Sequence, residues 1–111
     1  MTLDEIITLV REGGGHNEAY VLARVLEYLR DRDQIQTWAR VRALEFIRCG
    51  AYESAARLMI PQGWLTSVGA RLGQTGGFVG VVDKMTQSFT GATPALALIG
   101  VVLTWYRKEL Q

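Results

Sequence analysis

Between Gly69 and Gly80 the chain reads GARLGQTGGFVG, five glycines in twelve residues. Glycine forfeits more backbone freedom on folding than any other residue, so such density needs a structural use. Four uses are open: a phosphate cradle, a flexible linker, a membrane segment, or a helix face built for close contact. Gly69, Gly73, Gly76, Gly77 and Gly80 fall at i, i+4, i+7, i+8 and i+11, one face of an α-helix, while Leu65, Val68, Leu72, Val79 and Val82 lie on another side. In that helix each glycine costs roughly 1 kcal/mol against alanine, on the order of 5 kcal/mol together. Close approach of a second backbone would offset this through dispersion contacts and buried apolar area. The competing reading breaks the helix at Gly76-Gly77 and leaves two pieces with ordinary turn glycines.

The other three uses fit the residues less well. A phosphate loop of the G-x-x-x-x-G-K-[ST] form needs a lysine after glycine, and Lys84 and Lys108, the only lysines, do not follow one. A dinucleotide turn needs G-x-G-x-x-G between strand and helix, and that triplet does not occur. Linkers are polar around their glycines, whereas Trp64, Leu65, Phe78 and the valines here call for burial. A membrane span needs about twenty apolar residues. Ala95 to Tyr106 is shorter than that, and Asp83, Lys84 and Gln87 interrupt the stretch before it.

Outward from the glycines, Thr93-Pro94 predicts a helix start, with threonine as cap and proline at the first helical position. Ala95 to Tyr106 is nearly all apolar and closes on Arg107-Lys108, whose charge suits a helix C-terminus. Ala97, Gly100 and Thr104 give this helix a small-residue stripe of its own. The two stripes are expected to face each other or their copies in a second subunit.

The first half reads as helical hairpins. Thr2-Leu3-Asp4-Glu5 has the form of a capping box, and Leu3, Ile6, Ile7 and Val10 follow on one stripe. After Gly13-Gly14-Gly15, Asn17 is the expected cap of a second helix carrying Val21, Leu22, Val25, Leu26 and Leu29 through about Arg30. Asp33-Gln34-Ile35-Gln36 is a second capping-box candidate. It opens a helix whose apolar residues (Ile35, Trp38, Val41, Ala43, Leu44, Phe46, Ile47) cover more than one stripe, as for a helix with neighbours on two sides. Gly50 is expected to close it in the left-handed conformation, and Ala51 to Ile60 to form a short helix broken by Pro61. The stretch EFIRCGAYESAARLM resembles the turn and second helix of a tetratricopeptide-type hairpin, with Gly50, Tyr52 and Ala55 at the positions of the turn glycine, packing aromatic and small residue. The resemblance covers little more than one hairpin, residues 62–111 hold no further copy, and it implies helical hairpins rather than a stacked array.

Composition and chemistry narrow the function. A chain of 111 residues, 49% hydrophobic and 21% charged, has the balance of one folded domain. A net charge of +1 creates no field for polyanions or anionic membranes. Cys49 stands alone, so no disulfide can form within the chain, and a buried, reduced thiol in a cytoplasmic protein is the expectation. One histidine, His16, and one cysteine make no zinc site, and no cofactor motif is present. Glu27, Glu45 and Glu53 each have an arginine within four residues (Arg24, Arg48, Arg57), which predicts exposed ion pairs rather than acid–base catalysis. Residues 20–60 hold seven arginines against five acids, but the acids are interspersed, so nucleic acid is not the expected partner.

The expected fold is all-α: about six helices in one compact bundle, residues 1–61 as hairpins and 62–111 as a glycine-rich apolar half. The expected function is a non-catalytic, self-associating interaction module, with Gly69, Gly73, Gly76, Gly77, Gly80, Ala97, Gly100 and Thr104 at the seam of a homodimer or on another protein. The alternatives are a binder of a small apolar ligand held between helices and lined by Trp64, Phe78, Met85 and Phe89, or a weakly nucleic-acid-associated protein.

Overall fold

The computed structural model describes residues 1–61, 63–64, 66–70, 78–82 and 88–110. The chain is mostly helical, a bundle of five helices among the described residues rather than about six. In order these are α1 (Leu3–Glu12), α2 (Glu18–Asp31), α3 (Thr37–Arg48), α4 (Tyr52–Leu58) and α5 (Pro94–Leu110). Between α4 and α5 lie three short strands, β1 (Thr66–Ala70), β2 (Phe78–Val82) and β3 (Phe89–Gly91), joined antiparallel in the order β1-β2-β3.

The strands correct the reading of the glycine run as a helix. Gly69 lies in β1 opposite Val79, and Gly80 lies in β2 opposite both Val68 and Phe89. Gly73, Gly76 and Gly77 fall outside the described residues. The physical reason lies in the neighbours of the glycines. Thr66, Val68, Phe78, Val79, Val81 and Val82 are β-branched or aromatic, the residue types that fit a pleated surface. A helix there would also have carried the full glycine penalty.

α5 is the centre of the core. Every residue from Ala95 to Thr104 is buried, as expected for a helix that is apolar on all sides. It packs against all three strands, and against α1 and α4 as well. Its start is capped as the sequence suggests: the Thr93 hydroxyl accepts from the Leu96 amide at 3.2 Å. The same hydroxyl donates to Glu18 at 2.7 Å, tying the first turn of α2 to the first turn of α5 across 75 residues. Ile6, Ile7 and Val10 of α1, with Val21, Leu22, Val25, Leu26 and Leu29 of α2, complete the core.

The α1 capping box forms as predicted. The Thr2 amide donates to Glu5 at 3.1 Å and the Glu5 amide to the Thr2 hydroxyl at 3.2 Å. Hydrogen bonding from the Thr2 backbone, then from its side chain, holds the Glu5 carboxyl below its ordinary value of 4.5. The contribution of that carboxylate to the cap is therefore present above the ordinary value and is lost as the pH falls through the lowered one. At α2 the expectation of an Asn17 cap is corrected: its side-chain oxygen turns back to accept from the Gly14 amide at 2.9 Å, and no side-chain cap bond enters the helix.

The second capping box is also corrected. α3 starts at Thr37 behind Gln36, without a side-chain cap, because Asp33 has other work. Asp33 is the left-handed residue that ends α2, at φ 56°. Its amide bonds to Arg30 at 3.1 Å and the next amide, Gln34, to Leu29 at 2.9 Å, the paired bonds of a Schellman turn. α3 ends in the same way, with Gly50 at φ 78°, its amide on Ile47 at 3.1 Å and the Ala51 amide on Phe46 at 2.8 Å. Two turns of one type thus reverse the chain around α3.

No atom lies within 4 Å of the position a Cβ would take on Gly50, so any penalty there is conformational rather than steric. Gly50→Ala is expected to cost about 1 kcal/mol in urea unfolding. Asp33→Gly is expected to change stability in the opposite direction, gaining about 0.5 kcal/mol. Equal and same-signed changes at the two positions would refute the pairing of these turns.

Candidate functional site

The three α5 residues expected at an assembly seam are occupied inside the chain. Ala97 and Gly100 are buried, and Thr104 is 9% exposed, its hydroxyl donating to the Gly100 carbonyl at 2.8 Å. A Cβ on Gly91 would stand 2.6 Å from the Ala97 amide nitrogen, so β3 crosses the start of α5 at backbone distance. A Cβ on Gly100 would enter the ring of Phe89. The close approach inferred from small residues is therefore present at α5, but an aromatic ring and a strand use it, not a second helix. Gly69 is exposed and has nothing within 4 Å of a Cβ position, so it serves no close contact there.

Of the residues expected to line an apolar pocket, Phe89 and Trp64 make contacts within the chain. Phe89 is 4% exposed, seated on Gly100 with the Arg11 guanidinium 5.4 Å from its ring centre. Trp64 packs edge-on against Trp105 at 4.6 Å and near Tyr106 at 6.3 Å. Phe78 lies in β2 opposite Gly91, and Met85 is outside the described residues. Burial raises the Tyr106 hydroxyl above its ordinary value beside this cluster. Phe89 is buried in the core and Trp64 packs partly buried against it.

The surface that stands out belongs to α3. This helix packs on α2 and α4, the two neighbours its broad apolar pattern implies. Its buried residues are Ala39 and Ala43 alone. Small side chains let α3 sit close to its neighbours, and the larger ones then fall at the flanks or outside. Leu44, Phe46 and Ile47 are half-buried, while Trp38 is 63% and Val41 47% exposed. The Trp38 indole N–H donates to the Gln36 side chain just before the helix, which ties the ring down at its surface position. Beside it an open cavity of about 710 Å³ runs between the start of α3 and the end of α4, with Ile35, Leu58, Ile60 and Pro61 in its wall.

Charge marks the same helix. Arg24 pairs with Glu27 at 2.9 Å, Arg30 with Asp31 at 3.1 Å, Arg57 with Glu53 at 3.7 Å and Arg107 with Asp4 at 3.5 Å. Arg32 leaves the acids for the face of Tyr28, 3.8 Å from the ring centre, and burial of Tyr28 raises its hydroxyl above the ordinary value against the pull of that cation. The expected Glu27 and Glu53 pairs thus form. The expected Glu45–Arg48 pair does not: among the described residues no ion pair includes Arg40, Arg42, Glu45 or Arg48, all on α3. Arg42 instead leans over Phe46, 5.9 Å from its ring centre.

The remaining chemical candidates stay scattered. Cys49 is exposed, correcting the expectation of a buried thiol, because it caps the end of α3 in the turn before Gly50. Among the described residues no three of His, Cys, Asp and Glu come together as metal ligands. No helix among them is long and apolar enough to cross a membrane. Compared with protein-family models, curated proteins and solved structures, the chain matches none.

Sequence reasoning placed Trp38 and Val41 with the core of a broad apolar helix and so missed the surface. The available signal was the alanine pair, Ala39 and Ala43, on the opposite side. Substitution separates the packed from the open glycines. Gly100→Ala is expected to lose about 1–3 kcal/mol in urea unfolding, because the added Cβ would overlap the buried ring of Phe89. Gly69→Ala should remain within about 0.5 kcal/mol of the wild type. A large loss at Gly69 would return that residue to a close-packed face.

Proposed function

We propose that the chain is a non-catalytic interaction module whose contact surface is the outer face of α3. One observation carries the reading: an indole and a valine stand exposed on a helix whose charged residues are also unpaired. Tryptophan and arginine are the residues that most often dominate the energy of protein–protein contacts. The indole is already held by its bond to Gln36, so little rotamer freedom remains to be lost on binding. Ala97 and Gly100, expected at the seam, support the module from within by receiving β3 on α5, and Thr104 bonds within α5 to the Gly100 carbonyl. A cytoplasmic setting goes with this reading, since Cys49 is an exposed thiol that a reducing compartment would keep free.

Site-specific photo-crosslinking tests it. A benzophenone amino acid at position 38, in cells expressing the full chain, should give discrete protein adducts. The same group at Glu12, exposed at the end of α1, should give none. Equal yields from both positions, or none from position 38, would overturn the assignment of the surface.

A further inference from the structure

The exposed face of α3 carries one self-complementary charge pair, Arg42 and Glu45, and the inference drawn from it rests on the reading of this face as a contact surface. Trp38, Val41, Glu45 and Arg48 follow one another at steps of three, four and three residues, the spacing of a seam between two helices. Arg42 lies beside that seam, and all five side chains are exposed. Arg42 and Glu45 stand three residues apart on the same helix, a spacing that permits a local ion pair, yet neither is in one among the described residues. The face therefore offers two cations and one anion, with apolar contact at one end.

We infer that this face binds a second copy of the chain, α3 against α3, antiparallel about a two-fold axis that crosses the outer face at the level between residues 43 and 44. In that register Arg42 lies opposite Glu45 of the second copy, and symmetry repeats the pair. Trp38 comes beside Arg48 of the second copy, where the ring face receives the guanidinium. A parallel pairing would set Arg42 against its own copy. An acidic segment or a nucleic acid would meet Glu45 in the middle of the face, a like charge at the centre of the contact. A second copy supplies a carboxylate to Arg42, a guanidinium to Glu45 and an indole ring to Arg48. α3 has twelve residues, so one short helix per copy gives a contact at or below the low end of specific interfaces, about 1,200 Å² in total. The dimer is accordingly weak, with a dissociation constant on the order of micromolar or above.

Charge reversal in the full chain, read by sedimentation equilibrium, tests the register. The wild type should approach twice the chain mass of 12.3 kDa as its concentration rises into the hundreds of micromolar. Arg42→Glu alone and Glu45→Arg alone should each weaken the dimer about tenfold or more, and the two together in one chain should restore it to within about threefold. Circular dichroism controls for the helix, which these exposed positions should leave intact. Three results would overturn the inference: a wild type that stays monomeric, single reversals without effect, or a double reversal no better than the singles. If Trp38→Ala dissociates the dimer while the reversals do nothing, the surface stands and the register falls. If adducts from position 38 run at masses other than twice the chain, the surface stands and the second copy is the wrong partner.

Discussion

The ring of Phe89, pressed into the space that Gly100 leaves on α5, is the contact around which the molecule is arranged. It fixes β3 on the central helix, and the antiparallel register then places β2 and β1 beside it. Gly91 lets the strand backbone reach the first turn of α5, and the Arg11 side chain covers the outer face of the ring from α1. Helix, sheet and N-terminal hairpin therefore meet at one aromatic side chain. A helix as apolar as α5 has no face it can leave in water, and the strands supply the side that α1 and α4 do not cover.

Much of this architecture was legible in the sequence. The capping box at Thr2, the Thr93-Pro94 start, the stop at Gly50 and the periodic apolar positions of α1 and α2 all describe local physics, and each appears as read. Two failures have physical causes. The glycine run matched a helical face because short apolar stretches broken by glycine satisfy both periods, and the β-branched residues around it decide for strands. Asp33 read as a cap because aspartate is a good one, yet it takes the left-handed place at the end of α2 that glycine fills at the end of α3.

The surface of α3 was illegible for a different reason. A broad apolar pattern says that a helix has much to bury, and says nothing of which side its neighbours take. Here the inner side is made of alanines, so α2 and α4 approach closely and the bulky residues are displaced outward. Burial of Ala39 and Ala43 and exposure of Trp38 are two aspects of one packing choice. The expected seam residues show the complementary case: small positions on α5 did indicate close approach, but the partner came from the same chain.

The joint between Thr93 and Glu18 also bears on how the chain is made. During synthesis the first four helices are made before α5, the element that packs against α1 and α4. At typical elongation speeds the interval before α5 emerges lasts on the order of seconds. The nascent half must spend that time with an uncovered apolar trough, so a chaperone that shields such surfaces would act on this protein before α5 emerges.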